Sequence, residues 1–365
     1  MKLLYITNGI NGAGGLERVL SIKASYLADR YEYEVTILSL NEEIGNRFYE
    51  FSPKINFRSI SVKGNPVKYV GLYRNGLQHV VDEIKPDIIS VCDDGLKGFF
   101  IPRLLKTTAK IIYERHVSKE IEMNHKFPSW KKNFIKAKWR LMEILATYFD
   151  QFVVLTNGNK EEWKSLKNLI VIPNPLSFYP DKSSSLQNRK VIAVGKQGYQ
   201  KGYDRLLKSW QLVQQEAPDW QLEIYGKIEP AFKLKELAHQ LNIGKAVHFF
   251  PPAKDIERKY LDSSIYVMSS RFEGFGMVLI EAMACGVPCV SFDCNYGPAD
   301  IIRNNVDGLL VDNDNINSLA EALLKLISED TIRKEYGKQA KENVKRFLPE
   351  NIVPRWNKLF NDLIK

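Results

Sequence analysis

The chain alternates between two rhythms of apolar residues. Short, largely apolar runs at 3–7, 35–40, 57–62, 87–92, 110–113, 152–156 and 169–172 read as strands, because a strand covered on both faces has little polar side to show. Between them apolar positions recur at helical spacing, as in Val19, Leu20, Ala24 and Leu27, and helices are expected in the same way over 67–84 and 96–105. The alternation resumes with strands at 190–194, 222–225, 247–250, 265–269, 289–292 and 308–311, then ends in helical patterns near 316–327 and 331–344. Strand following helix throughout predicts an α/β protein built on parallel sheets covered on both faces.

One polar, proline-bounded stretch interrupts this pattern. Pro173-Asn174-Pro175 stops the last early strand, and Tyr179 to Ser185 has the composition of a linker. The expected organisation is a first domain over 1–176, a linker over 177–188, a second domain over 189–345 and a terminal helix over 346–365 carrying Trp356, Leu359, Phe360 and Leu363. A chain of 365 residues gives each domain enough material for its own core.

Composition excludes several classes. At 44% hydrophobic and 26% charged the chain reads as soluble and globular. No apolar run approaches the roughly 20 residues that span a bilayer, and the N-terminus enters a strand without a signal-peptide pattern, so a cytoplasmic location is expected. The four cysteines then have little reason to pair. Cys285, Cys289 and Cys294 are close in sequence but fall on a predicted helix, a buried strand and its end, with no histidine nearby. Buried small hydrophobes are favoured there over a metal site.

The net charge of +9 is uneven, with +7 in residues 1–176 and +2 in the rest. This excess points to an anionic partner for the first half. Its densest part is Lys126 to Arg140, where Lys126, Lys131, Lys132, Lys136, Lys138 and Arg140 interleave with Phe127, Trp130, Phe134, Ile135 and Trp139. One reading is a solvated helix with Phe134, Ile135 and Leu141 packed inward; another is an interfacial helix drawn to anionic lipid headgroups. Nucleic acid is disfavoured, because no nucleic-acid motif accompanies the charge.

Candidate chemistry lies at strand ends, where parallel sheets bind ligands. The first strand runs into a loop with Gly9, Gly12, Gly14 and Gly15 before a helix, a phosphate-cradling arrangement. It is not a dinucleotide fingerprint, since Glu17 stands where a third glycine is needed and the second strand ends in Ser39-Leu40-Asn41, without an acid for a ribose. Glu114-Arg115-His116 ends another strand. In the second half, the loop after 190–194 holds Gly195, Lys196, Lys201 and Gly202, and two lysines on a glycine loop suit a diphosphate. Gly226-Lys227 and Pro251-Pro252 follow two further strands. Asp312-Asn313-Asp314 spells a D-x-D metal signature but directly precedes a predicted helix, so capping is favoured.

The most informative stretch is 271–300, RFEGFGMVLIEAMACGVPCVSFDCNYGPAD. Glu273 and Glu281 bracket Gly274 and Gly276 at the start of an apolar helix, Gly286-Val287-Pro288 stops that helix, and a buried strand follows. A glycine-led helix N-terminus offers unpaired N–H groups to a phosphate, while carboxylates accept from hydroxyls. A ligand carrying both groups is a nucleotide sugar.

With its Glu273-x7-Glu281 spacing, Gly-Val-Pro-Cys-Val turn and Gly297-Pro298, this stretch resembles the retaining glycosyltransferases of the GT-B fold, family 4. The resemblance implies two Rossmann-like domains facing a cleft, the last helix crossing back to the first domain, and no cofactor or metal. It further implies that Lys196 and Lys201, with the Gly274-Phe275-Gly276 amides, meet the donor diphosphate, that Glu273 and His116 meet the sugar and that Glu281 meets the ribose. Gly14, Gly15, Gly195, Gly226, Lys227, Pro252, Met277 and Val278 are the further expected donor contacts, and Arg115 is the expected acceptor contact. Relatives of this kind act on saccharide or lipid-linked acceptors, which suits the basic helix, and the 291–298 run resembles branches that use UDP-sugars. A GT-B nucleotide-sugar 2-epimerase and a silent partner subunit remain open. Retention of Lys201, Glu273 and Glu281 argues against silence.

Overall fold

The computed structural model describes residues 1–43, 45–123 and 127–365. The chain divides into two units, Met1–Pro175 with Pro349–Lys365, and Leu176–Leu348.

In the first unit, strands β1 (Lys2–Thr7), β2 (Glu34–Leu40), β3 (Asn56–Ile60), β4 (Ile88–Cys92), β5 (Lys110–Glu114), β6 (Gln151–Val154) and β7 (Leu169–Val171) form one sheet in the order β3-β2-β1-β4-β5-β6-β7, with every pair parallel. The central strands are apolar along their length because helices cover both faces; β4, Ile-Ile-Ser-Val-Cys, is buried at every position. Phe99, Tyr113, Phe152 and Trp163 fill one face, with Tyr113 and Phe152 stacked at 5.0 Å between centroids. The Pro349–Ile364 helix packs in this unit along the Gly15–Arg30 helix, where the Tyr33 hydroxyl donates to Asn357 at 2.8 Å.

In the second unit, β8 (Lys190–Val194), β9 (Gln221–Tyr225), β10 (Val247–Phe250), β11 (Ile265–Met268), β12 (Cys289–Asp293) and β13 (Gly308–Asp312) form a parallel sheet in the order β10-β9-β8-β11-β12-β13. Trp210, Val213, Leu319 and Leu323 from two covering helices close its core. Residues 177–188, expected as a linker, belong to this unit. Leu186 is buried, Arg333 donates to its carbonyl at 3.3 Å, and the Ser184 hydroxyl donates to the Ser263 carbonyl at 2.6 Å. The polar composition there supplies backbone and hydroxyl partners to neighbouring elements rather than a solvated tether.

Each sheet has one place where consecutive strands leave in opposite directions, between β1 and β4 and between β8 and β11. Such a switch point opens a crevice at the carboxyl ends of its two strands. The chemistry-bearing loops of both halves follow these strands or their neighbours.

Candidate active site

At the second switch point, the loop after β8 meets the loop after β11. Lys201 Nζ and Glu273 Oε1 are 2.8 Å apart, both largely withdrawn from water. Glycines make this approach possible. Gly195, at φ +149°, lies beneath the Lys201 stem, which any Cβ would strike, and Gly226, at φ +152°, packs against the Gly195 backbone. Gln197 ties the two loops by donating to the Gly226 and Phe250 carbonyls, each at 3.3 Å. On the other side the Glu273 amide donates to the Asn295 carbonyl at 2.8 Å, which fixes the carboxylate's main chain.

Three residues beyond Glu273, Gly276 adopts a left-handed φ of +101° as the N-cap of the Met277–Ala284 helix, and no side chain caps that end. Phe275 is buried, with its ring edge against Phe347, while Met277 and Val278 are partly exposed. Glu281 lies one turn inside the helix and is fully buried. Its carboxylate accepts from the Ser177 hydroxyl at 3.1 Å and the Tyr260 hydroxyl at 3.3 Å. The structure thus gives Glu281 hydroxyl partners from the protein itself. Lys196 points elsewhere: it is 63% exposed and pairs with Glu229 at 3.1 Å, a carboxylate that Lys227 also approaches, at 3.9 Å. Pro252 is exposed.

In the first unit Gly14 caps the Gly15–Arg30 helix in an extended conformation, and space around Gly15 is open. The Glu17 side chain folds back beneath Gly12 and Gly14. Burial pushes its carboxyl up from the ordinary range. At the end of β5 lies a buried polar cluster. Glu114 accepts from the Lys23 ammonium and the Ser90 hydroxyl, and faces His116 Nε2 at 3.2 Å. Burial alone would raise the Glu114 carboxyl, but the Lys23 ammonium and His116 oppose it and hold it down at about 2. Lys23 is completely buried, its ammonium 3.9 Å from the Trp356 ring centroid. Arg115 is also buried, donating to the Asp94 carbonyl at 2.9 Å and lying over Trp163. Its guanidinium is turned into the unit, away from solvent.

The remaining expected features separate clearly. Cys285, Cys289 and Cys294 are free and buried, and burial raises all three thiols. Among the described residues the ligand atoms that gather within 4.8 Å are instead those of Cys92, Glu114 and His116. A cation there would have to compete with the Lys23 ammonium already bonded to Glu114. In the D-x-D run, Asn313 and Asp314 accept from Arg205 at 3.0 and 3.1 Å, and the cap of the Ile316–Ser328 helix is Asn315, one residue later than the signature. The basic helix spans Ser129–Ala146; Lys126 lies outside the described residues. Ile135 is buried there, but Phe134 is 69% exposed and Trp130 72%, so the inward packing expected of Phe134 does not occur. Leu141 is also exposed. Lys138 is paired with Glu122 at 2.5 Å and Lys131 sits over the Phe127 ring, while Lys136 and Arg140 are exposed and Lys132 partly so.

The sequence reading did not single out Lys23, Glu229, Ser177 or Tyr260. Lys23 had a visible signal: it falls between Leu20 and Leu27 on the apolar face of its helix, where a charge requires a buried partner. The other three come from distant segments and carry no local signal.

These sites and sheets define a class. The chain belongs to the family described as glycosyl transferases group 1, which matches residues 179–343. Over its length it is 31% identical to the amylovoran biosynthesis glycosyltransferase AmsD of Erwinia amylovora, covering 99% of each chain. It is 30% identical to an uncharacterized glycosyltransferase of Haemophilus influenzae, covering 97% of this chain and 98% of that one. Among solved structures, a mutant of S. aureus TarM in complex with fondaparinux, alpha-GlcNAc-glycerol and UDP shares the fold, with a TM-score of 0.81 over 99% of each chain at 16% identity. The two Rossmann-like units are those of a GT-B glycosyltransferase.

The Glu114 cluster makes stability depend on acid. A carboxyl held below its unfolded value, roughly 4.3, stabilises the fold above that value and loses this contribution as pH falls from about 5 through about 2. Melting temperatures at pH 6 and pH 3 check this against a Lys23→Met/Glu114→Met double variant, in which other carboxyls are unchanged. The drop on acidification is expected to be a few degrees smaller in the variant, corresponding to about 2 kcal/mol at most. An equal drop would mean that the pair has no part in it.

Proposed function

We propose that the chain is a retaining, metal-independent transferase that moves a hexose or N-acetylhexosamine from a UDP-sugar to a saccharide or lipid-linked saccharide, in the building of a surface polysaccharide. The observation that carries this reading is the contact between Lys201 and Glu273 at the switch point, beside an uncapped helix N-terminus. The amylovoran role of AmsD and the UDP bound to the TarM mutant support the pathway and the nucleotide.

Cleavage of the sugar–phosphate bond builds negative charge on the leaving diphosphate and positive charge on the sugar ring. Lys201, the amides at Gly274 to Gly276 and the helix dipole stabilise the first, with no need for a divalent ion. Lys196 joins them after leaving Glu229. Glu273 orients the sugar hydroxyls, and its charge keeps the Lys201 ammonium beside the phosphate. Glu281, already an acceptor for two hydroxyls, takes those of the ribose. Retention follows when the acceptor attacks from the face that the leaving phosphate vacates, the phosphate assisting its deprotonation.

Incubation with UDP-glucose, UDP-galactose and UDP-N-acetylglucosamine, with and without EDTA, tests this. UDP release with an α-configured sugar product and no loss in EDTA is expected. Glu273→Ala should lower kcat by about 100-fold with a smaller change in KM, His116→Gln should lower kcat, and Glu281→Ala should mainly weaken UDP binding. An isomerised donor without UDP release would replace this reading with a 2-epimerase, and turnover of GDP-sugars alone would remove the UDP assignment.

The exposed Trp130, Phe134 and Ile144 beside Lys132, Lys136 and Arg140 support a peripheral contact of the Ser129–Ala146 helix with an anionic membrane face, where a lipid-linked acceptor would lie. Sedimentation with phosphatidylglycerol vesicles checks it. Reversing the charge at Lys132, Lys136 and Arg140 should reduce binding by at least about tenfold, at about 1 kcal/mol per basic residue. Equal binding to phosphatidylcholine, or an unaffected variant, would remove the membrane role.

A further inference from the structure

The cluster at the end of β5 contains more buried charge than a strand terminus requires, and its geometry ends on one unused atom. Lys23 comes from the Gly15–Arg30 helix, where it is enclosed by the Trp356 ring at 3.9 Å and the Tyr5 ring at 5.1 Å, and among the described residues its ammonium pairs with one carboxylate, Glu114. Glu114 Oε1 accepts from Ser90, and Oε2 is shared between Lys23 and His116 Nε2. An ionised carboxylate can only accept, so the proton of this last contact must sit on Nε2 of the imidazole. The His116 side chain is 6% exposed, its amide is directed to Asp94 at 3.4 Å, and its other ring nitrogen, Nδ1, is buried with no hydrogen-bond partner. A buried acceptor left bare is costly unless a ligand completes it.

We infer that Glu114, locked in place by Lys23, is a positioning residue that fixes His116 with its proton on Nε2 and presents Nδ1 as the acceptor for a sugar hydroxyl. The inference deepens the proposed function and rests on His116 meeting the sugar. It assigns Lys23 and Glu114 no contact with substrate. A cation held by Cys92, Glu114 and His116 is the competing use of the same atoms, and it is opposed by the ammonium already on Oε2 and by burial, which pushes the Cys92 thiol up.

The tautomer can be read without any substrate. In protein labelled with 15N-histidine, long-range proton–nitrogen correlation resolves five imidazoles, and His116→Gln identifies the one at issue. The wild type is expected to show a singly protonated ring with its proton on Nε2. Lys23→Met/Glu114→Met removes both buried charges together, so no unpaired ion is left to unfold the unit, and its melting temperature confirms folding. In that variant the tautomer should shift toward Nδ1–H, and kcat for UDP release from whichever UDP-hexose the wild type cleaves should fall by at least about tenfold with KM little changed. Lys23→Met/Glu114→Gln, which restores an acceptor oxygen to Nε2–H, should recover both readouts in part. A wild-type ring protonated on Nδ1, or a folded Met/Met variant with the wild-type spectrum and turnover, would overturn the inference. Failure of the transferase reading is separate: it shows as a wild type that cleaves no nucleotide sugar, or as His116→Gln with full turnover.

Discussion

Holding an ammonium and a carboxylate 2.8 Å apart, with little water around either, requires that both main chains be fixed before the side chains meet. The second unit is arranged around that requirement. Lys201 is placed by a loop that crosses Gly195 and is tied to the next strand end through Gln197, and Glu273 is placed by a loop paired with Asn295. Both loops leave adjacent strands of a parallel sheet at its one reversal of direction. The pair itself contributes little net stability, since desolvation offsets most of its attraction. Its value is chemical: a cation and a hydroxyl acceptor are held at one helix N-terminus, where a diphosphate and a sugar would lie side by side.

The first unit uses the same kind of contact for a different end. Lys23 and Glu114 are enclosed more completely, and neither faces an open loop. Their attraction keeps a carboxylate ionised inside the unit, facing Nε2 of a neighbouring imidazole. Both units thus carry a lysine–carboxylate pair, one proposed to touch a ligand and the other proposed to orient a group that does.

Much of this was legible in the sequence because parallel sheets write themselves plainly. Largely apolar runs mark strands close to those observed, and the same pattern puts the glycine loop before Lys201 and the Glu273-x7-Glu281 stretch at strand ends. What stayed hidden depended on partners far away in the chain. Nothing around Lys196 announces Glu229, and nothing around Glu281 announces Ser177, 104 residues earlier. The polar stretch after Pro175 looked like a tether because its hydroxyls are as suitable for capping neighbours as for solvation. Phe134 followed helical spacing well enough to suggest an inward face, yet only the packing of the helix decides which side is buried, and it left Phe134 and Trp130 outside. Lys23 was the one distant contact with a local mark, a charge on an apolar helix face.

On the proposed reading the donor diphosphate is held in the second unit between the loop of Lys201 and the N-terminus of the Met277–Ala284 helix. Backbone hydrogen exchange with and without UDP tests it most directly, because amides that bind phosphate are slowed at the residues concerned. Protection is expected in peptides covering 195–204 and 273–284, and it should be lost in Lys201→Met while the rest of the unit exchanges as before. Protection confined to the first unit, or none in 273–284 at saturating UDP, would contradict the account.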